Sequence, residues 1–125
     1  MRYLGIDYGS KRVGIALSDE EGKLAFPYVV LENKSDLLER VKSIIEKEKV
    51  EKIVIGESKN FQGEENKIMI EIKKFADDLK GVVGKEVFYE PEFLSSHQAV
   101  QIQGKNSELD ASAAAIILQS FLDRG

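Results

Sequence analysis

The sequence predicts an α/β fold: a mixed five-stranded sheet, three antiparallel strands and then two parallel ones, with helices on both faces. Three observations lead there. Three short apolar runs joined by turn residues fill the first third of the chain. Two further β-branched or aromatic runs are each preceded by a stretch of helical spacing, the connection that parallel strands require. And 125 residues, 42 % of them hydrophobic and 32 % charged, can bury one core without disulfide staples, so residues 1–125 are read as a single domain.

Tyr3-Leu4-Gly5-Ile6-Asp7 forms the first strand and Tyr8-Gly9-Ser10-Lys11 a turn. Arg12 to Ser18 then alternates, with Val13, Ile15 and Leu17 on one face and Gly14, Ala16 and Ser18 on the other. That second face is thin enough for something to approach the sheet closely. Asp19-Glu20-Glu21-Gly22 is a hairpin turn, and a third strand runs from about Leu24 to Leu31. A helix capped by Asn33 or Ser35 follows, with Leu37, Leu38, Val41, Ile44 and Ile45 at helical spacing. The sign-alternating charges from Lys34 to Lys52 form its solvated face. Lys52-Ile53-Val54-Ile55-Gly56 suits a central strand buried on both faces. After an irregular stretch from Glu57 to Gly63, a second helix covers Glu64 to Leu79, with Ile68, Ile72, Phe75, Ala76 and Leu79 in register. Glu86 to Glu90 is the fifth strand. A short helix starts near Ser95 or Ser96. The last helix runs from about Ser107 to Asp123, with a stripe of Ala111, Ala114, Ala115, Leu118 and Leu122. A meander continued through helical crossovers resembles the strand order of an RNase H-like domain.

Composition narrows the function. The absence of cysteine excludes disulfides, thiolate metal sites and cysteine nucleophiles, and fits a reducing cytosol. The longest apolar runs fall far short of the ~18 residues a membrane span needs. Asp7 stands where an export signal would stay apolar. The net charge of −4, from 18 basic and 22 acidic residues, argues against a protein that coats nucleic acid through bulk charge. It leaves room for an enzyme whose metal ions offset its own carboxylates.

Three acids carry the candidate chemistry. Asp7 ends an apolar strand, and Gly9 lets the backbone turn close to whatever Asp7 binds. Glu90 and Glu92 flank Pro91 after the fifth strand; read singly, each is also explained as a solvated strand-end charge. Asp110 lies in the first turn of the last helix, where Ser107-x-x-Asp110 also reads as a capping pair. Carboxylates from two strand ends and one helix suit a hard divalent cation such as Mg²⁺ or Mn²⁺. Two such ions can activate a water and stabilise the leaving oxygen of a phosphodiester. Lys11, Arg12, Lys59 and Lys105 are the nearby cations in sequence, and Lys59 is read as a solvated lysine. His97, the only histidine, reads as a surface residue before it reads as a proton shuttle. Tyr8, Tyr28, Tyr89 and Phe61 form no spaced stacking platform and read as core and rim packing.

The runs Leu4-Gly5-Ile6-Asp7-Tyr8-Gly9-Ser10-Lys11-Arg12-Val13-Gly14-Ile15-Ala16-Leu17-Ser18-Asp19, Ala25-Phe26-Pro27, Ile53-Val54-Ile55-Gly56, Asp110-Ala111-Ser112-Ala113-Ala114 and Ile117-Leu118-Gln119-Ser120-Phe121-Leu122-Asp123 resemble, nearly end to end, the YqgF/RuvX family. These are RNase H-fold relatives of the RuvC Holliday-junction resolvases. The resemblance implies that Asp7 is the first acid and Asp110 the last. Pro91-Glu92-Phe93-Leu94-Ser95-Ser96 stands where the family has Asp-Glu-Arg-Leu-Thr-Thr, which makes Glu92 rather than Glu90 the middle acid. It further implies a metal-dependent endonuclease using one or two Mg²⁺ or Mn²⁺ ions, acting in 5′-end processing of pre-16S rRNA, or alternatively on Holliday junctions. Lys11, Arg12 and Lys105 would contact phosphates. Asp19 and Asp123 also match family positions, although a turn and a helix end explain them.

The chain departs from the pattern at Pro91 and Phe93, at Glu57-Ser58, and in the segment Gln101 to Ser107, which is short and keeps only Lys105 as a cation. A non-catalytic module that binds nucleic acid or protein on the same fold is therefore the second reading. A third comes from Gly5-Ile6-Asp7-Tyr8-Gly9-Ser10, which resembles the first phosphate loop of actin-, sugar-kinase- and chaperone-type ATPases. Those use a duplicated domain, and this chain holds one copy. The expected partner is structured RNA or branched DNA, with no membrane, and the chain acts as a monomer or homodimer.

Overall fold

A computed structural model of the chain describes residues 1–57, 67–91 and 107–124; for Pro91 and residues 107–112 it describes the backbone only. The strands are β1 (Arg2–Tyr8), β2 (Arg12–Ser18), β3 (Ala25–Glu32), β4 (Val50–Glu57) and β5 (Val87–Pro91). The helices among the described residues are α1 (Leu37–Lys47), α2 (Lys67–Val83) and α3 (Ser107–Asp123). The sheet order is β3-β2-β1-β4-β5. β1, β2 and β3 pair antiparallel, while β4 runs parallel to both β1 and β5. Both sheet and helices match the sequence expectation, and the fold is RNase H-like. The short helix expected near Ser95 lies outside the described residues.

Alternation along each strand splits the core in two. Leu4, Ile6, Val13, Ile15, Leu17, Ile53 and Ile55 face α1 and α2, which contribute Leu37, Val41, Ile45, Met69, Ile72 and Leu79. The opposite face is built of small residues and carries α3: Ala16 and Val54 pack with Ala114, Ala115, Ile117 and Leu118. The thin face of β2 thus receives a helix. A Cβ on Gly5 would lie 2.8 Å from Leu118 Cβ and 3.0 Å from the Ala114 carbonyl oxygen, so only glycine permits this approach.

Two helix boundaries differ from expectation. α1 starts after Asp36, which makes no side-chain cap and instead accepts from Arg40 Nε at 2.9 Å; neither Asn33 nor Ser35 is the cap residue. α2 runs four residues past Leu79 to Val83, because Gly81 is tolerated and the chain turns only at Gly84, at φ +67°. Its expected first residues, 64–66, lie outside the described ones.

At the far end of the sheet, Arg2 Nη1 donates to Glu48 Oε1 at 3.0 Å and Tyr28 OH donates to Glu48 Oε2 at 2.9 Å, joining β1, α1 and β3. Along the β3 edge, the Ala25 N–H donates to Gln119 Oε1 at 2.8 Å, and two residues on, Pro27 has no N–H. Among the described residues no helix is long and apolar enough to cross a membrane.

Candidate active site

Asp7 is the penultimate residue of β1, part-buried, and alternation puts it on the α3 face with Tyr3 and Gly5. Its partner on β2 is Gly14, which pairs in turn with Val30 of β3. On the other side, the parallel register pairs Ile6 with Ile55, so Gly56 follows beside Asp7; Gly56 pairs with Glu90 of β5. Asp7 therefore sits in a row between two glycines.

α3 covers the next row down. Tyr3 meets the Phe121 ring at 6.1 Å, and Gly5 abuts Leu118 and Ala114. As β1 runs toward its C-terminal end, α3 is met progressively nearer its N-terminus. Asp7 lies two residues, ~7 Å, beyond Gly5 along β1. Asp110 lies one helical turn, ~6 Å, before Ala114 along α3. The side chain of Asp110 is not among those described, and Glu92 lies outside the described residues, as do Lys59, His97 and Lys105.

Glu90 corrects one expectation. It is not a solvated strand-end charge but is 4 % exposed. Ser120 Oγ donates to its Oε2 at 2.8 Å, and Arg124 Nη2 donates to its Oε1. With one oxygen engaged by α3 and the other by Arg124 just past its end, Glu90 is committed to the fold. Among the described residues no group of three or more His, Cys, Asp or Glu side chains is placed to hold a metal.

The turn after Asp7 is held by a residue that the spacing did not reveal. Asn33 donates through Nδ2 to the Gly9 carbonyl, and through its backbone N–H to the Lys11 carbonyl. Gly9 is required there: a Cβ would stand 2.6 Å from the Arg12 carbonyl oxygen. Lys11 and Arg12 are exposed on this turn. Asp19 is a turn former, as expected. Its Oδ1 accepts from the N–H groups of Lys23 and Leu24 at 2.8 and 3.2 Å, and those bonds hold its carboxyl below the ordinary carboxylate range. Tyr8 packs on Phe75 at 5.3 Å, on the face away from α3. Tyr89 is half-buried, and burial, then Asp77, pushes its phenol up.

Sheet order, an acid near the end of the first strand and a last helix laid against it define a domain of the RNase H-like class. Solved structures share that fold. Thermus thermophilus RuvC aligns with a TM-score of 0.65 at 16 % identity, over 99 % of this chain and 96 % of RuvC. The fowlpox virus Holliday junction resolvase aligns with a TM-score of 0.59 at 13 % identity, over all of both chains. Residues 1–124 match the family model "RuvX: Holliday junction resolvase". A protein of Sulfurihydrogenibium sp. (strain YO3AOP1) named "Putative pre-16S rRNA nuclease" is 34 % identical, over 98 % of this chain and 90 % of its own length. The chain belongs to the RuvX family.

Proposed function

We propose that residues 1–125 form one metal-dependent endonuclease domain that cuts structured RNA in the cytosol, in 5′-end processing of precursor 16S rRNA. What supports this reading is that Asp7 stands in a glycine-flanked row on the α3 face, one step beyond the contact of Gly5 with Ala114, and that Asp110 precedes Ala114 by one helical turn along α3. The preference for RNA rests on the names of the relatives.

The residues fit a divalent metal. Asp7, Glu92 and Asp110 offer oxygen donors alone, the set that hard cations such as Mg²⁺ or Mn²⁺ prefer, and the residues in register with Asp7 on both flanking strands are glycines, Gly14 and Gly56. One or two ions held there would supply an activated water and charge stabilisation of the leaving oxygen. Lys11, Arg12 and Lys105 hold the phosphate backbone in register without reading sequence. Water adds to phosphorus and the bond to the 3′-oxygen breaks.

Cleavage of labelled precursor RNA and of a branched DNA junction with Mn²⁺, for the wild type and Asp7→Asn, tests the reading. RNA cutting that is lost in Asp7→Asn is expected. Cutting of the junction alone reassigns the substrate to branched DNA. No cutting of either, together with no Mn²⁺ uptake by calorimetry, overturns the enzyme in favour of a binding module. Saturable ATP binding would favour the nucleotide-hydrolysing alternative.

A further inference from the structure

We propose that Glu90, Ser120 and Arg124 on one side of α3, and Gln119 on the other, form a two-edge clamp that fixes the rotation of α3 and so positions Asp110. The proposal rests on the reading of Asp110 as a metal ligand. Gln119 and Ser120 are consecutive, about 100° apart around the helix, and they reach toward opposite edges of the sheet. Gln119 accepts from the Ala25 N–H at 2.8 Å and donates to the Lys23 carbonyl at 2.9 Å, tying α3 to the β2–β3 hairpin. Ser120 and Arg124 hold the buried carboxylate of Glu90 on β5, and the Arg124 guanidinium also lies over the Phe121 ring at 5.8 Å.

Between these two anchors lies the packed contact of α3 with the sheet. Gly5, Ala16, Ala114 and Ala115 bring the helix close to the sheet and Ile117, Leu118 and Phe121 pack there too, while the hydrogen bonds at the two edges add a directional restraint that apolar contact lacks. A turn of about 10° about the helix axis moves a side-chain end at the ~6 Å rim by about 1 Å, a displacement large enough to damage a catalytic geometry. Stability alone would not call for a charge at position 90. A well-packed apolar residue there would serve at least as well, whereas a buried carboxylate with fixed partners admits one setting. Glu90 also precedes Glu92 by two residues, so the clamp joins the strand and the helix that bring two of the three acids.

The test compares Glu90→Gln and Gln119→Ala with Ile72→Val, a core variant on the opposite sheet face, after measuring the stability of all three. Two readouts are taken on the full chain. The first is the metal-free distance between spin labels at Ser10→Cys and Glu108→Cys, clean because the chain has no native cysteine. The second is Mn²⁺ affinity, counted by electron paramagnetic resonance. Both clamp variants should shift or broaden the label distance and bind Mn²⁺ about tenfold more weakly. Ile72→Val should leave both unchanged despite its loss of stability. Wild-type distance in either clamp variant overturns the proposal, as does an equal effect from Ile72→Val. A changed distance with unchanged Mn²⁺ affinity severs the link to Asp110 and also overturns it. If the wild type takes up no Mn²⁺, the metal reading fails, and the clamp is decided by the label distance alone.

Discussion

Asn33 closes the turn that follows Asp7: its Nδ2–H group donates to the Gly9 carbonyl at 2.8 Å while its backbone N–H donates to the Lys11 carbonyl at 2.9 Å. One residue at the end of β3 thereby holds both sides of the segment that carries Lys11 and Arg12. Asn33→Ala removes the side-chain bond and should cost about 1 kcal/mol in urea unfolding. Its effect on nucleic-acid binding should exceed that stability loss, because the two cations lose their common frame. Binding isotherms over a range of salt concentrations check this. An unchanged affinity would show that the turn does not position them.

Gly9→Ala attacks the same turn from within. The new methyl would meet the Arg12 carbonyl, backbone that cannot swing aside as a flexible side chain would. A loss of about 1–3 kcal/mol is expected on chemical denaturation. Cleavage should fall more steeply than stability, since the displaced residues adjoin Asp7.

Gly5→Ala tests the packing of α3. Leu118 Cβ and the Ala114 carbonyl leave no room for a methyl, so the helix must lift from the sheet. A cost of about 1–3 kcal/mol is expected. Hydrogen exchange should quicken in α3 but not in α1, which packs on the other face. Equal acceleration in both helices would point to global loosening instead.

Acid should open the β2–β3 hairpin. The bonds from Lys23 and Leu24 favour ionised Asp19, so its folded pKa lies below the ordinary value of 3.8. A depressed carboxyl adds stability above its unfolded pKa and loses it as pH falls through the folded one. The stability advantage of wild type over Asp19→Ala should therefore be full at neutral pH and shrink below about pH 4. Denaturant melts at both pH values check the sign.

The strands were legible because alternation and turn residues are local signals. Val13, Ile15 and Leu17 announce a buried face whatever the tertiary structure. The thin face of Gly14 and Ala16 was legible as a place of close approach, but its occupant, α3, lies almost a hundred residues away, beyond any local pattern. Asn33 was misread for the same reason: a polar residue before a helix looks like a cap, and its bond to Gly9 exists only once β3 lies beside β2. Glu90 was misread because strand-end acids are ordinarily solvated. The polar pair Gln119-Ser120 inside an apolar helix was the available hint that α3 has partners on both sides.

The outer strand β3 carries its own safeguard. Residues two apart on a strand aim their N–H groups the same way, and at Ala25 that group is already occupied while at Pro27 it does not exist. A foreign strand, including one from a misfolded copy of the chain, finds neither of the two N–H donors it would need along that stretch, so cross-β recruitment is discouraged there.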